Sequence, residues 1–417
     1  MSPVRPPESL LQLPTPDAEA QAHSERLISL ITDEIAAAGG GISFARYMEL
    51  ALFAPGLGYY SAGASKFGEQ GDFVTAPEIS PLFSRALAQQ VAEVLTALEP
   101  TGKATGSGEV LEVGGGTGCM AADMLAELET LGVLPARYSI LELSADLQAR
   151  QHQTLSERVP HLLPRVQWLN ALPASGFRGV VVANELLDAL PVHCFRVHKR
   201  GMGEAGLRER WVGFEQGRFQ WRSDDLAPAP VLQQQLPLAL LDQLSGLPDG
   251  YESEVNLAAG AWVEALAERL AAGVVLLIDY GFPRHEYYHP QRSRGTLMCH
   301  YRHRAHDDPF VYPGLQDITA HVDFTAIAEA AVAAGLEVRG YNTQGLFLLG
   351  CGLAELAQRS EDPTAEHNER QQILQAQQIR RLTLPGEMGE RFKVIALSRN
   401  YDHPLRGFAL QDLRHQL

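Results

Sequence analysis

Apolar positions early in the chain recur at helical spacing. Ser24 to Ala38 carries Leu27, Ile28, Ile31 and Ile35 on one face and stops at Gly39, Gly40 and Gly41. Ser43 to Phe53 predicts a second, shorter helix, stopped by Pro55. Pro81 to Leu98 predicts a third, with Ser80 as N-cap and proline at the first helical position. Short apolar runs then take over. Val110, Leu111 and Val113 predict a buried strand over 109–113 that runs into a glycine turn. A helix follows from Met120 to Leu131, with Met124, Leu125, Leu128 and Leu131 on one face. Further strands are expected at 138–143, 166–169, 180–183 and 274–278, the last ending at Asp279. Helices from Ser144 to Glu157 and from Ala258 to Leu270 alternate with them, the pattern of a parallel sheet covered on both faces.

Two blocks break this rhythm. His193 to Trp221, with the runs C-F-R-V-H, R-W-V-G-F and G-R-F-Q-W, reads as a small antiparallel meander. Gly281 to Phe324 is irregular and rich in His, Arg, Tyr and Asp. Leu336 to Gly340 and Phe392 to Leu397 predict a terminal antiparallel pair, with helices from Gly350 to Arg359 and from Thr364 to Arg381 between them. The expected organisation is a flexible tail over 1–23 and a helical cap with a cofactor or substrate loop over 24–108. The core then spans 109–417, with insertions at about 193–256 and 281–323. The loop from Gly56 to Ser80 holds Tyr59, Tyr60, Phe67 and Phe73, an aromatic content that fits an ordered functional loop or a packed connector to the next helix.

Composition narrows the function classes. At 417 residues, 45% hydrophobic and 20% charged, the chain can bury a large core or two domains sharing one. A formal net charge of −16 repels nucleic-acid phosphate over most of the surface, so no nucleic-acid partner is expected and a cationic one is easier to accept. No stretch reaches the ~18 consecutive apolar residues of a membrane span. The four cysteines, Cys119, Cys194, Cys299 and Cys351, are scattered without a C-x-x-C pair, and a reducing cytoplasm fits them. The Pro-rich, acidic Met1 to Glu19 suits neither a signal peptide nor an Arg-rich transit peptide.

Polar residues collect where the strands end. The carboxyl edge of an open α/β sheet is where ligands bind, and there the chain places Glu112, Glu142, Asn170, Asn184 with Glu185, and Asp279. The turn Glu112-x-Gly114-x-Gly116-x-Gly118 lacks the glycine that a dinucleotide fingerprint from Gly114 requires at position 119, which is Cys119, and this argues against NAD. It resembles motif I of the class I S-adenosylmethionine methyltransferases. Glu142 can then accept both ribose hydroxyls, or it is a solvated acidic strand end. Asn170 stands where an amide can meet the adenine amino group, or it opens a plain turn. His300, His303 and His306 are interleaved with Arg302 and Arg304, which repel a cation, so no metal is expected there. His303 is a candidate proton acceptor, with simple packing of that loop as the alternative.

Several segments taken in order are more specific. G-D-F-V-T-A-P-E-I-S (71–80), E-V-G-G-G-T-G (112–118), A-N-E-L-L-D-A-L-P-V-H (183–193), D-Y-G (279–281) and the stretch 293–324 resemble the MidA family, which includes the mitochondrial complex I assembly methyltransferase. The resemblance runs from about residue 24 to the C-terminus. It implies an α/β, Rossmann-like class I methyltransferase fold: a mostly parallel sheet with an antiparallel last strand, a helical N-terminal cap and insertions. S-adenosyl-L-methionine is the implied cofactor, with Thr75 and Ser80 joining the glycines, Glu112, Glu142, Asn170 and Asn184 around it. The implied reaction is symmetric dimethylation of a protein arginine; Glu185 and Asp188, three apart at the start of a helix or turn, are then the candidate carboxylate pair that orients the guanidinium, unless Asp188 is a structural cap or ion-pair partner. A small-molecule methyltransferase and a non-catalytic assembly factor that binds the cofactor remain as alternatives. The apolar Pro81 to Leu98 helix suits a homodimer or the core equally.

Overall fold

The computed structural model describes residues 13–61, 74–99, 108–200, 204–222, 230–359 and 369–417. The chain divides into two compact units. One comprises the chain up to Phe73, Asp188–Ala259 and His285–His321; the other comprises Val74–Leu187, Gly260–Arg284 and Val322–Leu417.

The second unit holds an eight-stranded sheet. Its main strands are β1 (Glu109–Val113), β2 (Arg137–Leu141), β3 (Val166–Leu169), β4 (Phe177–Asn184), β5 (Leu270–Phe282), β6 (Glu337–Thr343) and β7 (Phe392–Arg399). They lie in the order β3-β2-β1-β4-β5-β7-β6. Pairing is parallel from β3 to β5, whereas β7 runs antiparallel to both β5 and β6. The expected last-strand pair is therefore present, and the chain's final strand sits inside the sheet, not at its edge. β5 is longer than its apolar run, because Gly281 and Phe282 pair with Val322 and Asp323 and carry the ladder past Asp279.

Alternation along these strands builds the core. Val110, Val180, Val182, Val274, Leu276, Ile278, Val394 and Ala396 pack with Phe83, Leu87, Val91, Met124 and Leu128 of the covering helices. Ser80 caps the helix Pro81–Leu98, whose apolar face packs into the core of this unit. Glu127 of the helix Cys119–Thr130 ties the two helices, accepting from Arg85 Nε and Gln89 Nε2 at 2.8 Å each. In place of the expected helix from Gly350, Gln344–Gly350 and Leu353–Arg359 form separate helices around Cys351 and Gly352. The next is Glu369–Thr383, and the expected start at Thr364 lies outside the described residues.

In the first unit the helix Ala18–Ala37 begins well before Ser24, because Asp17 caps it through Ala20 N at 2.9 Å. His23 Nε2 and Ser24 Oγ then bond the carbonyls of Leu57 and Pro313, each at 2.8 Å. Ala18 to His23 are accordingly helix rather than flexible tail, and residues 1–12 lie outside the described residues, as do 62–73 of the aromatic loop. Phe44–Phe53 forms as expected, with Ser43 as its cap. His193 to Trp221 is not one meander. Trp211–Glu215 pairs with Arg218–Trp221 and with Ile42–Ser43, whereas His193–Arg200 lies between Glu204–Glu209 and Glu252–Val255. The strands divide at Arg210, whose guanidinium lies 3.9 Å over the Trp221 ring and donates to Glu252 Oε2 at 2.8 Å. The stretch 281–324 carries a small sheet in which Met298–Tyr301 pairs with Arg304–His306 and Asp317–Thr319.

Candidate active site

The glycine turn leaves β1 through Gly114, whose amide donates to Leu141 O at 3.0 Å. Gly114, Gly116 and Gly118 hold φ of 74°, 50° and 84°, a region closed to most side chains. A Cβ on Gly116 would meet nothing within 4 Å, so the turn faces open space there. One on Gly118, the N-cap of the next helix, would lie 2.9 Å from Gln151 Cα.

Glu112, the carboxylate before this turn, is 0% exposed. Tyr138 Oη donates to its Oε2 at 2.6 Å, and Oε1 has no hydrogen-bond partner among the described residues. Burial pushes its pKa up to about 8, with the Glu142 charge adding and the Tyr138 hydrogen bond opposing. Burial thus favours the protonated carboxyl, with Oε1 lacking a hydrogen-bond partner among the described residues.

Glu142 follows β2, and its amide donates to Leu169 O at 3.1 Å. Its Oε1 accepts from Ser144 N at 2.9 Å and its Oε2 from Gln151 Nε2 at 3.2 Å, and the Leu143 amide adds a further bond to the carboxylate. Burial raises its pKa against the pull of those bonds. Gln151 Nε2 also reaches Gly116 O at 3.1 Å, and its Oε1 accepts from Trp168 Nε1 at 2.9 Å. Gln151 was not singled out from sequence, yet it ties the glycine turn to the acid at the end of β2. Its signal is a buried amide at the middle of the Leu147, Gln151, Leu155 stripe of the helix Ala145–Arg158. Asn170, after β3, is exposed and accepts from Gln148 Nε2 at 3.1 Å; that amide also donates to Glu142 O at 2.7 Å.

Asn184 ends β4, with Oδ1 buried and lacking a donor among the described residues and with Nδ2 donating to Glu185 Oε1 at 3.1 Å. Glu185 takes a φ of 53°, and its amide donates to Ile278 O at 2.9 Å. Burial first, then the Asp279 charge, pushes its carboxyl to about 8, while hydrogen bonds from Asn184 and from the Ala76 amide oppose them. The T-A-P-E segment thus comes to Glu185 through a main-chain amide. Thr75 is the N-cap residue of the short helix Ala76–Ile79 with no side-chain cap bond; Ser80 is 1% exposed, and its hydroxyl oxygen accepts from Leu82 N at 3.3 Å.

Two expected catalytic residues fall in the other unit. No helix forms between Glu185 and Asp188, so their three-residue spacing does not put them on one helical face. Asp188 is 5% exposed, and its carbonyl accepts from Ala320 N at 2.9 Å. His303 is exposed at the tip of the hairpin joining Met298–Tyr301 to Arg304–His306, with φ of 47° at Arg302 and 61° at His303. Both turn positions are left-handed, as a tight two-residue hairpin requires. Among the described residues no group of three or more His, Cys, Asp or Glu side chains is arranged to hold a metal ion.

Residues 86–342, which include the glycine turn and the acid after β2, fit the family described as "Putative S-adenosyl-L-methionine-dependent methyltransferase". The chain belongs to this methyltransferase family. It is 46% identical to a COG1565 superfamily member from Burkholderia thailandensis whose crystal structure holds S-adenosyl-homocysteine, with a TM-score of 0.87 over 97% of this chain and 100% of that one. It is 30% identical to the Homo sapiens protein named "Protein arginine methyltransferase NDUFAF7, mitochondrial", over 86% of this chain and 80% of that protein. The Drosophila melanogaster homolog of that name is 31% identical, over 86% and 82%. Mitochondrial names lend no support to the cytoplasmic location expected from sequence, and among the described residues no helix is long and apolar enough to cross a membrane. S-adenosyl-L-methionine is the cofactor of this methyltransferase family. The residues fit it: open space beside Gly116, and Glu112 Oε1 and Asn184 Oδ1, each without a partner among the described residues, lie at the strand ends.

Proposed function

We propose that this methyltransferase acts on a guanidinium nitrogen of a protein arginine, with symmetric dimethylation as the outcome and a respiratory complex I subunit or a similar protein as acceptor. When bound, S-adenosyl-L-methionine supplies a methyl group on a sulfonium, open to in-line displacement. Glu142 is assigned to the ribose hydroxyls, Asn170 to the adenine, and Asn184 and the glycine turn to the amino-acid end.

The observation that carries the reading is Glu185, a carboxyl held in a left-handed turn at the end of β4 with its pKa pushed up to about 8. A guanidinium stays charged at ordinary pH, and a carboxylate bonded to two of its nitrogens holds the charge there and orients the third. The approaching cation offsets the desolvation that keeps Glu185 protonated, so the group ionises as the acceptor arrives. As the N–C bond forms and the C–S bond breaks, the methylated nitrogen sheds one proton. Transfer of that proton to the Glu185 carboxylate balances the step. The names of the human and fly relatives support arginine as the acceptor. The four free cysteines suit a reducing compartment.

The test is to incubate the purified chain with methyl-labelled S-adenosyl-L-methionine and cell extract, hydrolyse the labelled protein and identify the amino acid. Label in symmetric dimethylarginine is expected. Label in small molecules only makes the chain a small-molecule methyltransferase, and cofactor binding with no label anywhere makes it an assembly factor.

A further inference from the structure

Asp279 is an acid inside the central strand β5, paired with Lys393 of β7 and 1% exposed. Such a position in a covered sheet ordinarily takes an apolar side chain, so the carboxylate needs partners to offset its burial. It finds them in main-chain amides. Oδ2 accepts from Leu186 N at 3.1 Å and Leu187 N at 2.8 Å, and Oδ1 accepts from Tyr280 N at 2.9 Å. Leu186 and Leu187 are the two residues directly after Glu185.

Glu185 itself is a non-glycine residue at φ 53°, a conformation that costs on the order of 1 kcal/mol or more and persists only where its surroundings over-determine it. Its own amide donates to Ile278 O at 2.9 Å. One short piece of β5, Ile278 and Asp279, therefore grips the chain on both sides of Glu185: a carbonyl takes the amide at Glu185 and a carboxylate takes the next two. Nothing in the local sequence N-E-L-L forces a left-handed residue there, since neither glycine nor a helix stop is present.

We propose that Asp279 is a positioning residue, one that holds the Glu185 turn and sets a second negative charge behind it, so that the Glu185 carboxylate meets the acceptor guanidinium already aimed. The inference rests on the reading of Glu185 as the guanidinium-orienting group. Asp279 also favours the protonated form of Glu185, which agrees with a like charge close behind it.

The experiment uses the full chain and two readouts. Hydrogen exchange by mass spectrometry in the wild type should show the Leu186 and Leu187 amides protected like strand residues although they lie outside any helix or strand. In Asp279→Asn, which keeps the size but turns one acceptor into a donor, they should exchange at least tenfold faster, while β1 and β2 stay unchanged. Open-loop exchange at these amides in the wild type overturns the proposal without any variant. The second readout is transfer of labelled methyl to extract protein, alongside calorimetry with S-adenosylhomocysteine. Asp279→Asn should keep its affinity for that nucleoside within about twofold and lose about 100-fold in methyl transfer. The double variant Glu185→Gln/Asp279→Asn should be no worse than Glu185→Gln alone. Additive losses, or an Asp279→Asn protein as active as wild type while Glu185→Gln is inactive, overturn the role of Asp279 and leave Glu185 standing. A fully active Glu185→Gln overturns both.

Discussion

Glu112→Gln isolates a buried acid that the fold keeps neutral. The side chain is fully enclosed, one oxygen takes the Tyr138 hydroxyl at 2.6 Å, and burial carries the pKa from 4.5 to about 8. The folded state then holds this proton more tightly than the unfolded chain. Its contribution to stability is complete below pH 4.5 and is lost as the pH rises through about 8. At ~1.36 kcal/mol per pH unit, the wild type loses about 4 kcal/mol through this group between pH 5 and pH 8. Glutamine has nearly the same shape, accepts from Tyr138 and does not titrate. Urea midpoints of the cofactor-free proteins across that range should therefore move in favour of the variant, by ~1 M or more for a slope of ~3 kcal/mol per M. At pH 7 calorimetry with S-adenosylhomocysteine should find the variant within about threefold of wild type, because both side chains are neutral there. Parallel stability curves, separated by a difference constant to ~0.5 kcal/mol, would refute the reasoning. They would mean that Glu112 is ionised throughout and that its second oxygen is paired.

Three further outcomes follow from the same geometry. Glu142→Ala should weaken S-adenosylhomocysteine binding in calorimetry by ~10- to 100-fold without lowering the melting temperature by more than a few degrees, since a ribose loses two charge-assisted hydrogen bonds. Gly118→Ala combines a φ of 84° with a Cβ placed 2.9 Å from Gln151 Cα, and should cost about 2 kcal/mol or more in thermal unfolding while also weakening the nucleoside. Methyl transfer to protein, measured as kcat/KM, should fall by up to ~10-fold per pH unit below pH 8. The free enzyme must give up the Glu185 proton to receive a guanidinium, and Glu185→Gln should abolish both that dependence and most of the activity.

Much of this architecture was legible in the sequence. The strand of 109–113 and the helix Pro81–Leu98 form where the apolar spacing puts them, and Ser43, Ser80 and Ser144 each cap the helix that follows. Glu112, Glu142, Asn170 and Asn184 come to one edge of the sheet, as parallel strands require. These are local properties: periodicity fixes which face of an element is buried, a hydroxyl before a helix fixes its start, and right-handed crossovers fix where strand ends gather. Partner choice is not local. The division of His193 to Trp221 into two sheets depends on Ile42–Ser43 and Glu252–Val255, far away along the chain, and no periodicity within the segment carries that information. Gln151 and Asp279 gained their roles in the same way, from amides and carbonyls delivered by other elements. The protonation of Glu112 and Glu185 depends on how completely other segments exclude water around them. The sequence alone determined the elements, their order and the chemistry offered at the sheet's edge. Only the tertiary structure decided which of those groups are aimed, clamped or kept neutral, because hydrogen-bond partners and desolvation belong to the surroundings and not to the residue.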